Sequence, residues 1–306
     1  MIKSPRATAA SIAVLAIFLA ALGLSGGGVA RAQQGFPSPS QSAAVSTAPP
    51  QNFFGRWQSR VTRIQSQQPK WMVPVVSPYP MLIQVFRADF SRQISPAGVR
   101  NWNLDASRGL NLVPFNRTEF DILLPPYFEH GDKTLDGFGD MSFQGKYRIL
   151  SANEKHGAYM LSAQVVGVIP TGSHKNGSTD ASINPTINGG KGWGKFDFIA
   201  NLGGTLPTGD TRILGRTVAT NTVAQYHLSK YLWPELEVNT TAWYGSTRDG
   251  KVQTFLTPGV AVGKFPLQPR NPVARSGFVA GVAFQTAATS YHTYNHSLVF
   301  TGRYIF

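Results

Sequence analysis

SLVFTGRYIF, from Ser297 to Phe306, is the last stretch of the sequence. Taken in steps of two, it puts Leu298, Phe300, Gly302, Tyr304 and Phe306 on one face. Ser297, Val299, Thr301, Arg303 and Ile305 fall on the other. A period of two belongs to a β-strand, whose successive side chains point to opposite sides. The first face is apolar and the second mostly polar. A final strand ending on an aromatic residue is typical of bacterial outer-membrane β-barrels, where Tyr304 and Phe306 would be the signal that engages the outer-membrane assembly machinery. The usual pattern has its glycine where Thr301 stands; here Gly302 follows. Taken alone, the stretch also fits a buried edge strand of a soluble sandwich.

The other end of the sequence separates these readings. Lys3 and Arg6 precede an apolar run from Ala10 to Leu24, and Ala30-Arg31-Ala32 makes a small-x-small cleavage site. This predicts a secretory signal peptide over 1–32. The run is shorter than the ~20 residues of a spanning helix. An exported chain without cysteine forms no disulfide and rests on burial and hydrogen bonding. The net charge of +13 raises nucleic-acid binding, but export argues for no nucleic-acid partner. Residues 33–52, rich in Ser, Pro, Ala and Gln, read as a disordered linker.

Phe53, Trp57, Val61 and Ile64 recur at helical spacing, with Arg56, Arg60 and Arg63 on the other faces. Residues 53–80 are therefore expected to hold a short basic amphipathic helix, a periplasmic or plug element, followed by a possible first strand. A two-residue rhythm then runs through 81–306, with eleven strands at about 82–92, 109–125, 138–150, 157–169, 178–189, 194–206, 215–228, 233–245, 253–263, 275–286 and 297–306. In the clearest, Met141, Phe143, Gly145, Tyr147 and Ile149 alternate with Asp140, Ser142, Gln144, Lys146 and Arg148. Strands of this length in an exported chain fit a membrane barrel better than a sandwich. Both termini of such a barrel lie in the periplasm, so the strand number is even. Trp71–Ser77 is the expected twelfth strand, placed first. The fold class is then all-β: a transmembrane antiparallel barrel of about twelve strands with a short N-terminal periplasmic helix. Membrane lipid is the partner of its outer face. Tyr147, Tyr159, Tyr226 and Tyr304 fall on that face near the periplasmic ends, as an interfacial girdle requires.

Val168-Ile169-Pro170-Thr171-Gly172 and Thr205-Leu206-Pro207-Thr208-Gly209 each end an outward strand, since Pro cannot donate to a ladder and Gly permits a turn. Together with Gly137-Phe138-Gly139-Asp140 leading into Lys146-Tyr147-Arg148, these loops resemble the outer-membrane barrels named for a MetA pathway of phenol degradation. The resemblance covers about residues 137–306 and implies a transporter-type barrel. Phenolic or other aromatic cargo comes from the family label alone, and no functional residue is carried over.

Chemistry finds little support. Ser290 and His292 share a face, as in outer-membrane lipid hydrolases, but no acid stands near to orient the histidine. His130, Glu129 and Asp132 lack the spacing of a known metal site. No catalytic, metal or cofactor residue is assigned. The lumen is expected to be lined by Arg87, Lys146, Arg148, Lys195 and Arg303, opposed by Asp89, Glu119, Asp121, Asp140, Asp197, Glu235 and Glu237. A barrel of this size is narrower than an open porin. The expected function is a passive channel for small, aromatic or hydrophobic molecules. The alternatives are a structural barrel without a through-pore and, third, a lipid hydrolase. Arg56, Arg60 and Arg63 are expected to meet the lumen acids if the helix is a plug, its apolar edge packing near Phe255 or Trp243. The competing expectation lays the helix on the membrane surface.

Overall fold

The computed structural model of the protein describes residues 52–105, 108–268 and 275–306. The expected signal peptide and nearly all of the expected linker lie outside the described residues. A helix, α1 (Phe53–Ser66), comes first, its N-terminus capped by Asn52, whose side chain accepts from Gly55 N at 2.7 Å. Residues 67–84 follow without regular structure.

The sheet has fifteen segments. They are β1 (Val85–Ile94), β2 (Arg100–Asp105), β3 (Gly109–Phe115), β4 (Thr118–Leu123), β5 (Tyr127–Glu129), β6 (Gly137–Phe138), β7 (Met141–Ala152), β8 (Tyr159–Ile169), β9 (Ser182–Trp193), β10 (Phe196–Pro207), β11 (Arg216–Tyr226), β12 (Leu232–Tyr244), β13 (Val252–Pro266), β14 (Gly277–Ala287) and β15 (His296–Ile305). β2 with β3, β4 with β5 and β6 with β7 each make one interrupted stave, so fifteen segments form twelve staves. β15 pairs with β1 along its whole length, from Val85 opposite Ile305 to Ile94 opposite His296. That pairing closes the barrel and leaves no open edge, the condition for a sheet in lipid.

Alternation holds around the wall. In β1, Val85, Arg87, Asp89 and Ser91 are buried while Phe86 and Phe90 are exposed. Exposed apolar residues such as Phe120, Phe278, Phe284, Leu236 and Phe300 continue that outer band. Tyr147, Tyr159, Tyr226 and Tyr304 also stand on the exposed face. β8 stops at Ile169 and β10 at Pro207, where the Pro-Thr-Gly turns begin.

Two strand assignments need correction. Residues 109–125 are not one strand, because the chain turns at Asn116-Arg117 to give β3 and β4. Trp71–Ser77 is not a strand but part of the segment inside the barrel. The missing stave is β2 with β3, and its first half, β2, was hidden from a propensity reading by its Asn and Asp content.

Candidate functional site

Residues 67–84 occupy the lumen, and α1 sits at the end where the chain enters and leaves the barrel, burying only Val61 and Ile64. Val61 and Ile64 are fully buried and cluster with Leu82, Val113, Met160, Ile199 and Val223 from the segment and the wall. Phe255 and Trp243, the expected packing partners, lie elsewhere. Phe255 stacks on Tyr294 at 4.3 Å between centroids, and Trp243 meets Tyr291 edge-on at 5.6 Å. The Tyr294 hydroxyl donates to Gln285. These aromatics narrow the far end, where the β14–β15 loop folds inward.

The segment rises and returns as a loop. Its neck is closed by Gln68, whose Nε2 donates to Leu82 O at 2.9 Å and whose Oε1 accepts from Leu82 N at 3.1 Å. Pro69, Pro74, Pro78 and Pro80 lie within it. Each removes a backbone donor that would otherwise need an acceptor inside the lumen.

Wall side chains satisfy the remaining backbone groups. Glu237, with no exposed surface, accepts from Val76 N at 2.8 Å and Ser77 N at 2.7 Å. Glu235 accepts from Val75 N at 2.8 Å and from Gln225 Nε2 at 2.7 Å. Carbonyls are held from the other side of the barrel. Arg303 donates to Val73 O at 2.5 Å and Pro74 O at 2.7 Å, Arg87 to Val75 O at 2.5 Å and Arg108 to Val76 O at 2.9 Å. Asp89 carries both Arg87 and Arg108, at 2.6 and 2.8 Å. Lower in the lumen, Glu119 accepts from Ile83 N at 2.5 Å and pairs with Lys146 at 2.6 Å. Lys146 Nζ also donates to Met81 O at 3.2 Å and lies 3.9 Å from the centre of the Tyr79 ring. Arg148 donates to Ile64 O at 3.1 Å, holding the end of α1.

The expected lumen residues therefore divide. Arg87, Asp89, Glu119, Asp121, Lys146, Arg148, Asp197, Glu235, Glu237 and Arg303 are buried on the inner face. Of these, Asp121 accepts from Gln144 on the neighbouring strand. Lys195 instead sits exposed in the β9–β10 turn. Asp140 organises the β8–β9 loop, accepting from Gly172 N at 2.9 Å and Ser178 N at 2.6 Å. A Cβ on Gly177 would stand 2.1 Å from its Oδ1, so that approach requires glycine. The helix arginines do not meet the lumen acids either. Arg63 reaches the Asn116 side chain at 3.3 Å, and Arg60 lies over Trp57 at 5.8 Å. Sequence reading missed that Glu119, Glu235 and Glu237 take backbone amides of the segment as partners. The only trace of this is a proline-rich apolar run directly before the first strand.

Between the segment and the wall lies a cavity of about 470 Å³. Trp71, Met72 and Val73 of the segment face Trp233, Val279 and Ile305 across it. At the far end, the candidate hydrolase pair is not assembled. Both His292 ring nitrogens are engaged, Nδ1 with Thr289 O at 2.8 Å and Nε2 with Asn295 Oδ1 at 2.9 Å.

An outer membrane channel from Pseudomonas putida F1 has a similar fold, with a TM-score of 0.54 at 12% identity over 77% of this chain and 100% of that one. The NanC porin gives a TM-score of 0.47 at 8% identity over 73% of this chain and 98% of that one. None of the curated proteins matches in sequence. The family model described as "Putative MetA-pathway of phenol degradation" matches residues 84–267, more than half of the chain. A β-barrel closed by its own terminal strand and filled by an N-terminal loop, the chain belongs to the MetA-pathway of phenol degradation family.

Proposed function

We propose that the barrel is a passive outer-membrane channel for small hydrophobic molecules, not an enzyme, and that residues 67–84 hold its lumen closed at rest. The observation that carries this reading is the way the segment is held. Charged wall side chains grip its backbone, and an apolar cavity remains beside it. A structural barrel would fill its lumen more economically with interdigitating side chains. A gripped loop with a closed neck is a separable part. The family description points to aromatic compounds, and the protein of similar fold from Pseudomonas putida F1 is named a channel.

A second reading, a barrel without a through-pore, draws support from the filled lumen itself. Conductance of the purified protein in a planar bilayer distinguishes the two. Because Gln68 bonds directly to Leu82, residues 69–81 can be removed and the neck rejoined through two glycines. The channel reading expects a larger single-channel step from this variant than from the parent. A folded variant as silent as the parent refutes it.

A further inference from the structure

We propose that the cavity at the terminal end of the lumen binds a small amphipathic carboxylate, an apolar aromatic body carrying one anionic head. This deepens the channel reading by naming the class of molecule its inner vestibule takes. The cavity lining includes Lys70, Arg87, Lys230, Lys264, Arg275 and Arg303, and among the described residues contains neither Asp nor Glu. Two of the cations are spent. Arg87 pairs with Asp89, and Arg303 holds the carbonyls of Val73 and Pro74. Arg275 donates to Phe306 O at 2.7 Å, to Gln65 at 3.3 Å and to Gln58. Lys70, Lys230 and Lys264 form no ion pair among the described residues. Glu154 accepts from the Lys70 backbone N–H at 2.6 Å.

The demand for acceptors extends into the cavity wall. Gln65 Nε2 and Arg87 Nη1 are buried without a hydrogen-bond partner. Burial also pushes the Arg275 guanidinium below its usual pKa, the effect of desolvating a cation that an anionic ligand would offset. Against this basic rim stand the apolar faces of Trp71, Met72, Trp233 and Ile305. A neutral hydrocarbon would leave the rim unused, and an inorganic anion would leave the apolar wall wet. At about 470 Å³ the space is in the range of a small organic ligand and too small for a two-chain lipid.

The test uses the full barrel in non-ionic detergent and two probes of one shape, phenylbutyrate and the neutral phenylbutanol. Binding is followed by tryptophan fluorescence, since Trp71 and Trp233 line the cavity. The carboxylate should bind at least about tenfold more tightly than the alcohol, the scale of one charge-assisted hydrogen bond. Lys264→Met and Lys230→Met should each erase most of that preference while leaving the alcohol unchanged and the barrel heat-modifiable. Equal binding of the two probes, no saturable binding, or a preference indifferent to both substitutions would each overturn the proposal. Failure of the channel reading would show separately, as silence in the bilayer with carboxylate binding intact.

Discussion

Replacing Glu237 and Glu235 by Gln probes the grip on the lumen loop most directly. Glu237 accepts Val76 N at 2.8 Å through one oxygen and Ser77 N at 2.7 Å through the other. A glutamine keeps one oxygen and puts an NH₂ where the second stood, so one amide faces a donor. Losing a hydrogen bond to a buried charge costs about 1.5–3 kcal/mol. Removing the charge also relieves its own desolvation, which works in the opposite direction. The lower figure therefore applies, about 1.5 kcal/mol, or roughly tenfold in the ratio of seated to released loop. In Glu235→Gln the kept oxygen still accepts from Val75 N, and the new NH₂ donates to Gln225 Oε1 once that amide flips, so the cost is smaller than at Glu237. The two sites lie on one strand and hold one loop, so their effects do not simply add; the double variant is expected to release the loop at least as much as Glu237→Gln, roughly tenfold or more. The chain has no cysteine, so Val76→Cys supplies a single thiol. Its reaction rate with a maleimide should rise in proportion to the released population. Channel openings in a bilayer should become more frequent in parallel. A double variant whose thiol reacts at the parent's rate, with unchanged openings, would refute the view that the carboxylates seat the loop.

Single cysteines at Asn176, Asp210 and Gly250 lie in loops at the end opposite α1 and should react with an impermeant reagent on intact cells. Cysteines at Asn153 and Lys230 should stay protected until the outer membrane is opened, and the reverse pattern would invert the topology. Deleting Tyr304–Phe306 removes the Phe86–Tyr304 and Val85–Ile305 pairs and the Arg275 contact with Phe306, so assembly should fail. A truncated barrel that still appears at normal levels as a heat-modifiable membrane species would show that the closing strand tolerates the loss.

Much of the wall was legible because a barrel stave writes itself into sequence with a period of two. Phe300, Tyr304 and Leu236 must face lipid and Arg303, Glu235 and Glu237 must face inward, whatever lies across the lumen. The even strand number followed from topology, although β2 was hidden by its own polar composition. Periodicity reports the face a side chain occupies and is silent on what fills the space beyond it. Trp71–Ser77 has the apolar composition of a strand, yet it lies inside the barrel with its amides on Glu235 and Glu237, some 160 residues on. Backbone amides carry no residue identity, so the acids seemed to need the helix arginines as partners. Only closure of the barrel brings carboxylates, guanidiniums and a proline-rich loop into one low-dielectric space, where each buried polar group must find its partner.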